Sequence, residues 1–181
     1  MTLVIIQARL TSTRFPRKVL EKLEGRTLIQ RVVDAALEAK LVDKVVVASP
    51  HHIEYKGADW FIGSEYDVLD RYYQCAKEYK GDPIVRITSD CPMLRGIYID
   101  TAINFFNTMK TPYIHFALLD GLNVEVFNFK ILETAWKKTK NPYDREHVTP
   151  FMQRATKISI DTPKELKEMR EWIKDGKKPK F

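Results

Sequence analysis

Four consecutive aliphatic residues, Leu3-Val4-Ile5-Ile6, run straight into Gln7-Ala8-Arg9-Leu10-Thr11-Ser12-Thr13-Arg14-Phe15-Pro16-Arg17-Lys18, and this junction constrains the chain more than any other stretch. A short run that is apolar at every position, not at alternate ones, marks a strand buried on both faces of a parallel sheet. Open sheets of that kind bind ligands outside the carboxyl ends of their strands. The segment leaving this strand carries Arg9, Arg14, Arg17 and Lys18 together with several hydroxyls. Arginine forks grip two oxygens at once, lysine adds a point charge and loop N–H groups converge on an anion, so the segment suits a polyphosphate. It is not a Walker loop, because no glycine precedes Gly25 and the G-x-x-x-x-G-K-[ST] spacing is absent. Composition alone leaves a solvated basic loop or a nucleic-acid contact equally open.

Downstream, strand and helix patterns alternate. Thr27-Leu28-Ile29-Gln30 is a capping box, and Ile29, Val32, Val33, Ala36 and Leu37 follow with helical spacing. Val45 to Ala48 reads as a second buried strand and Ala58 to Ile62 as a third. His51 and His52 are adjacent, point different ways and read as a surface loop, not a metal site. A helix beginning near Asp67 turns Leu69, Tyr72, Tyr73 and Ala76 inward and leaves Asp70 and Arg71 near its start. Ile84 to Thr88 is a strand that delivers Ser89-Asp90-Cys91-Pro92 at its carboxyl end. Ile99, Ala102, Ile103 and Phe106 mark a helix, Tyr113 to Ala117 a strand, and Asn123 to Phe127 an alternating strand after the turn Asp120-Gly121. Phe129 to Lys138 is helical, and Arg145-Glu146-His147 fall near the start of a short helix interrupted by Pro150. Lys157 to Ile160 closes the strand set, and Thr162-Pro163-Lys164-Glu165 caps a last helix, with Asp161 left at a strand end. The alternation specifies a three-layer α/β/α domain with a mostly parallel sheet over residues 1–181, in which Asn123 to Phe127 is the candidate antiparallel strand.

The net charge of +6 admits an anionic small substrate or a nucleic acid without choosing between them. Cys75 and Cys91 have no metal-ligand spacing and read as reduced thiols, and no run approaches the length of a membrane span. These features set a cytoplasmic expectation with no membrane contact.

Gln7 to Leu20 resembles the CTP-binding loop A-R-x-G-S-x-R-x-P-G-K of the enzymes that make CMP-activated acidic sugars. Gly63 to Tyr72, Val85 to Pro92, Gly121 to Phe127 and Arg145 to Pro150 resemble, in that order, the spore coat polysaccharide biosynthesis protein F family, a relative of the CMP-sialic acid and CMP-Kdo synthetases. Thr11 and Arg17 stand where that family has glycine. The spans between Ser49 and Gly63 and between Met152 and Ile158 are shorter than is usual in it.

The resemblance implies the nucleotide-diphospho-sugar transferase type of Rossmann-like fold. It also implies transfer of CMP from CTP to an acidic or amino sugar with release of pyrophosphate. On this reading Lys18, Arg14 and Asp90 are the catalytic candidates; Ala8, Arg9, Ser12, Arg14, Lys18 and Arg71 contact the nucleotide or anchor its loop; and Asp90 and Asp161 hold magnesium (Mg2+). Asn123, Glu125, Arg145 and His147 are the sugar-contact candidates, although Asn123 and Glu125 read equally as the solvent face of a strand. The implied partners are CTP and the sugar, with no nucleic acid and with homodimerisation left open. A nucleotide-sugar-dependent glycosyltransferase on the same fold and a non-catalytic nucleotide binder are the competing readings.

Overall fold

The unbroken apolar run forms strand β1 (Leu3–Gln7), and Leu3 to Ile6 are fully buried. The structure is a computed structural model that describes residues 1–12, 14–53, 55–117 and 122–156. The expected turn Asp120-Gly121, the strand at 157–160, Asp161 and the helix beyond it lie outside the described residues.

After β1, a small ribbon of β2 (Lys22–Leu23) and β3 (Arg26–Thr27) leads into helix α1 (Leu28–Glu38), whose first turn is capped by Thr27 Oγ1 accepting from Gln30 N–H at 3.2 Å. Strands β4 (Lys44–Ser49) and β5 (Asp59–Ile62) follow, then α2 (Val68–Glu78), capped by Asp67, and β6 (Ile84–Thr88). The remainder comprises α3 (Gly96–Met109), β7 (Tyr113–Ala117), β8 (Asn123–Phe127), α4 (Phe129–Lys138), α5 (Pro142–His147) and α6 (Pro150–Ala155).

The strands make one six-stranded sheet in the order β5-β4-β1-β6-β8-β7. β5, β4, β1 and β6 are parallel, while β8 runs antiparallel to β6 and β7 antiparallel to β8. The chain moves outward from β1 to β4 and β5, then returns to the far side of β1 to form β6. The carboxyl ends of β1 and β6 therefore flank the point where strand order reverses, the place where such sheets open a crevice.

Successive residues of β1 serve opposite cores, as the strand repeat requires. Val4 and Ile6 pack with Val85 and Ile87 beneath α1 and α3, and Leu3 and Ile5 with Ile84 and Phe127 beneath α2 and α4. The result is the expected three-layer α/β/α arrangement. Among the described residues, no helix is long and apolar enough to cross a membrane.

Two local expectations are corrected. Helical spacing turns Leu37 inward, yet its side chain is exposed, because α1 meets its neighbours through Ile29, Val32, Val33 and Ala36. Arg145, Glu146 and His147 close α5 instead of opening a helix. The interruption falls at Val148, whose φ of 72° and ψ of −58° form a γ-turn closed by Thr149 N–H donating to the His147 carbonyl at 2.9 Å. Pro150 then begins α6, where its missing N–H leaves no intrahelical bond unmade.

Candidate active site

Hydrogen bonds that continue the sheet beyond its last residues determine where the functional loops emerge. Ala8 N–H donates to the Ala48 carbonyl and Ser89 N–H to the Gln7 carbonyl, both at 3.1 Å. Ala8 is itself buried, with its N–H engaged in this way. The basic loop then closes on itself through Arg17 N–H donating to the Leu10 carbonyl at 2.9 Å. Of the two residues replacing glycine in the resembling motif, only Arg17 takes a positive φ (57°), at a cost of about 1 kcal/mol relative to glycine. A single 3-10 turn, Lys18–Leu20, follows, and buried Val19 pins it to the core.

A cavity of about 180 Å³ opens at the carboxyl ends of β1 and β6, where Arg9, Ser12, Arg14, Lys18 and Asp90 meet. Lys18 Nζ donates to Asp90 Oδ2 at 2.5 Å, and both side chains are partly exposed. Burial alone would raise the Asp90 pKa, but hydrogen bonds from Lys18 and Thr88 outweigh it and hold the carboxyl below its ordinary range. Asp90 is thus an anion facing a cation-rich space. Its neighbour Cys91 is different: burial pushes that thiol up, so it stays protonated and is a poor nucleophile at neutral pH.

A wider cavity of about 750 Å³ adjoins the first, with Arg9 in the wall of both. Thr11, Glu65, Asp67, Arg145 and Glu146 also line it. Thr11 Oγ1 donates to Glu65 Oε1 at 2.5 Å, and Arg9 lies 3.8 Å from Glu146. Arg145 donates to Asp67 through Nε at 2.9 Å and to the Trp136 carbonyl at 2.9 Å, tying α5 to the start of α2. Arg71 lines neither cavity. It is buried, and its Nη1 donates to the Ser64 carbonyl at 2.6 Å, so it anchors the loop that carries Glu65.

The other sugar-contact candidates disperse. Asn123 is exposed at the start of β8, and His147 is exposed beside Tyr143, their ring centroids 4.3 Å apart. Glu125 corrects the expectation for it on both counts, as a hydroxyl contact and as a solvent face: it is 5% exposed, ion-paired with Arg86, and accepts from Tyr113 Oη at 2.6 Å. Burial would raise its pKa, but the charge of Arg86 and the Tyr113 hydrogen bond bring it below the ordinary value. Motif reading passed over Arg86, and over Gln7, Thr88 and Ser89 in the cavity wall. One sequence signal could have found the pair: Ile84-Val85-Arg86-Ile87 and Val124-Glu125-Val126 each carry a single charge inside an apolar strand, and a buried charge needs a partner.

Among the described residues, no cluster of three or more His, Cys, Asp or Glu side chains has the geometry of a metal site. His52 packs edge-on against Trp60, their ring centroids 4.4 Å apart. Asp90 as a lone carboxylate still fits magnesium, which takes one or two carboxylates and completes its shell with phosphate oxygens and water. A separate cavity of about 500 Å³ lies near the start of the edge strand β7, among Phe106, Pro112, Ile131 and Phe151. Its wall has lysines but no carboxylate, so it lacks comparable chemistry.

Residues 3–174 match the model of the family described as Cytidylyltransferase. An uncharacterised protein of Methanocaldococcus jannaschii is 39% identical over 158 residues, covering 82% of this chain and 65% of the relative. Spore coat polysaccharide biosynthesis protein SpsF of Bacillus subtilis is 32% identical over 167 residues, covering 83% of this chain and 69% of that protein. The chain thus spans about two thirds of the length of these curated relatives. In fold it is similar to a CMP:2-keto-3-deoxy-manno-octonic acid synthetase solved in complex with CTP, with a TM-score of 0.68, 17% identity, and coverage of 97% of this chain and 99% of that one.

Proposed function

The chain belongs to the cytidylyltransferase family, and from that premise we propose that it transfers CMP from CTP to an acidic or amino sugar and releases pyrophosphate. One observation carries this reading: Arg9, Arg14 and Lys18 converge with Asp90 on a cavity at the reversal point of the sheet, and a larger cavity joins it at Arg9. The smaller space suits the nucleotide, its cations facing the triphosphate, and the larger one a sugar.

In the reaction, a sugar hydroxyl oxygen attacks the α-phosphorus, the bond from that phosphorus to the bridging oxygen breaks so that pyrophosphate leaves with that oxygen, and the hydroxyl proton passes to solvent water. Such transfers ask for alignment and charge stabilisation more than for covalent participation by the protein. Arg14 and Lys18 hold the triphosphate, with Lys18 exchanging its contact to Asp90 for a phosphate oxygen. Asp90, joined by Asp161 in the resembling pattern, would hold magnesium, whose chemistry is to neutralise phosphate charge and polarise the reacting phosphorus. Arg9, at the junction of the cavities, faces both substrates. Its contact to Glu146 is long and exposed, and therefore weak.

Pyrophosphate release from CTP is to be measured across a panel of acidic and amino sugars, with ATP as the control nucleotide. Release that depends on both CTP and one class of sugar is expected. No release with any sugar, together with equal thermal stabilisation by ATP and CTP, would end the reading.

A further inference from the structure

Gln7 ends β1, and its side chain borders the strand-end cavity beside Thr88 and Ser89. Behind it lies Arg86, whose Nη2 donates to Gln7 Oε1 at 3.3 Å while Nη1 donates to Glu125. Glu125 is held in turn by Tyr113 Oη and by Gln153 Nε2, at 2.6 and 3.4 Å. A guanidinium has only donors, so the carboxamide must turn its oxygen toward Arg86. The opposite orientation would set N–H against N–H. The amide nitrogen is therefore the free end of Gln7, and it has no acceptor among the described residues.

The cavity wall divides by charge. Arg9, Arg14 and Lys18 suit phosphate, whereas Gln7, Thr88 and Ser89 form an uncharged part suited to the neutral portion of a nucleotide. Both bases present an acceptor at O2, but position 3 is an acceptor in cytosine and carries hydrogen in uracil, so a donor that meets position 3 serves cytosine alone. A carboxamide free to rotate could serve either base, but one that cannot reverse offers only a donor. Resting on the nucleotide reading above, we propose that Gln7 is the residue that separates cytosine from uracil nucleotides, and that Arg86 and Glu125 are the positioning residues that hold its carboxamide in the donor orientation.

Calorimetric titration of CTP and of UTP, each with magnesium, into the full chain and its variants tests this. Gln7→Glu keeps an oxygen for Arg86 and replaces the donor by an acceptor, so the CTP-over-UTP preference should fall roughly ten- to a hundredfold. Gln7→Leu should weaken CTP about tenfold and move UTP by less than about twofold. Arg86→Lys keeps the charge beside Glu125 but releases the carboxamide, and the same ratio should fall; a purely structural role would weaken both nucleotides together. An unchanged ratio in Gln7→Glu, with melting curves showing a folded protein, would overturn the assignment while leaving the nucleotide reading intact. Failure of the unaltered chain to bind CTP would bring down that reading and this assignment with it.

Discussion

Two cation–carboxylate pairs lie along the same part of the sheet and differ sharply in their access to water. Lys18 and Asp90 come from the loops that follow β1 and β6, and their side chains are 31% and 41% exposed. Arg86 and Glu125 face each other across β6 and β8, and their side chains are 15% and 6% exposed. A pair that water can reach contributes about 0–1 kcal/mol, so a phosphate can separate it at small cost. Separating a pair inside the sheet would strand a charge in a poor dielectric. The same chemistry thus makes an exchangeable contact at the rim and a permanent one a few residues inward.

The largest effect should come from breaking the inner pair. Glu125→Leu leaves Arg86 without its counter-ion and should lower stability by about 3–5 kcal/mol in denaturant titrations. A loss below about 1 kcal/mol would mean that water reaches the pair and that the contrast with the rim is false. The same pair has a pH signature. Because the folded-state pKa of Glu125 is depressed, its contribution is fully present above the unfolded value of 4.5 and is lost as pH falls through the lower folded value. Unfolding curves of the native chain should therefore weaken below about pH 4.5, and those of Glu125→Gln should weaken less over that window.

Next in size is the rim carboxylate. Asp90→Asn should slow single-turnover CMP transfer on the order of 10²-fold while the melting temperature shifts little. A large melting shift with activity per folded molecule preserved would make Asp90 a turn residue like any other. Lys18→Ala should weaken CTP binding by about 1.5–3 kcal/mol without unfolding the chain. Titration showing unchanged affinity would remove the basic loop from the site. The smallest effect concerns the loop backbone: Arg17→Gly removes a side chain from left-handed φ and should stabilise by up to about 1 kcal/mol, read as a higher melting temperature. A lower one would show that the Arg17 side chain makes contacts worth more than its strain.

Much of the architecture was legible in the sequence because its causes are local. The unbroken run Leu3-Val4-Ile5-Ile6 demands burial on both faces, and Thr27, Asp67 and Asn128 supply cap oxygens where helical spacing begins. The strands Tyr113–Ala117 and Asn123–Phe127 and the helix Phe129–Lys138 emerged from the same periodicities. The basic segment after β1 was also plain, since a chain leaving a buried parallel strand must surface at its carboxyl end. What the sequence determined by itself was the set of elements and the end of the sheet at which the cations appear. The tertiary structure alone decided which charges are free. Asp90 and Glu125 are both carboxylates in blocks that carry the resemblance, but Glu125 meets Arg86 across 39 residues of chain, and only the antiparallel register of β8 on β6 sets them opposite each other inside the sheet. Arg71, near the start of α2, is buried, and its Nη1 donates to the Ser64 carbonyl. Burial and pairing depend on contacts between distant segments, and local periodicity carries no record of them.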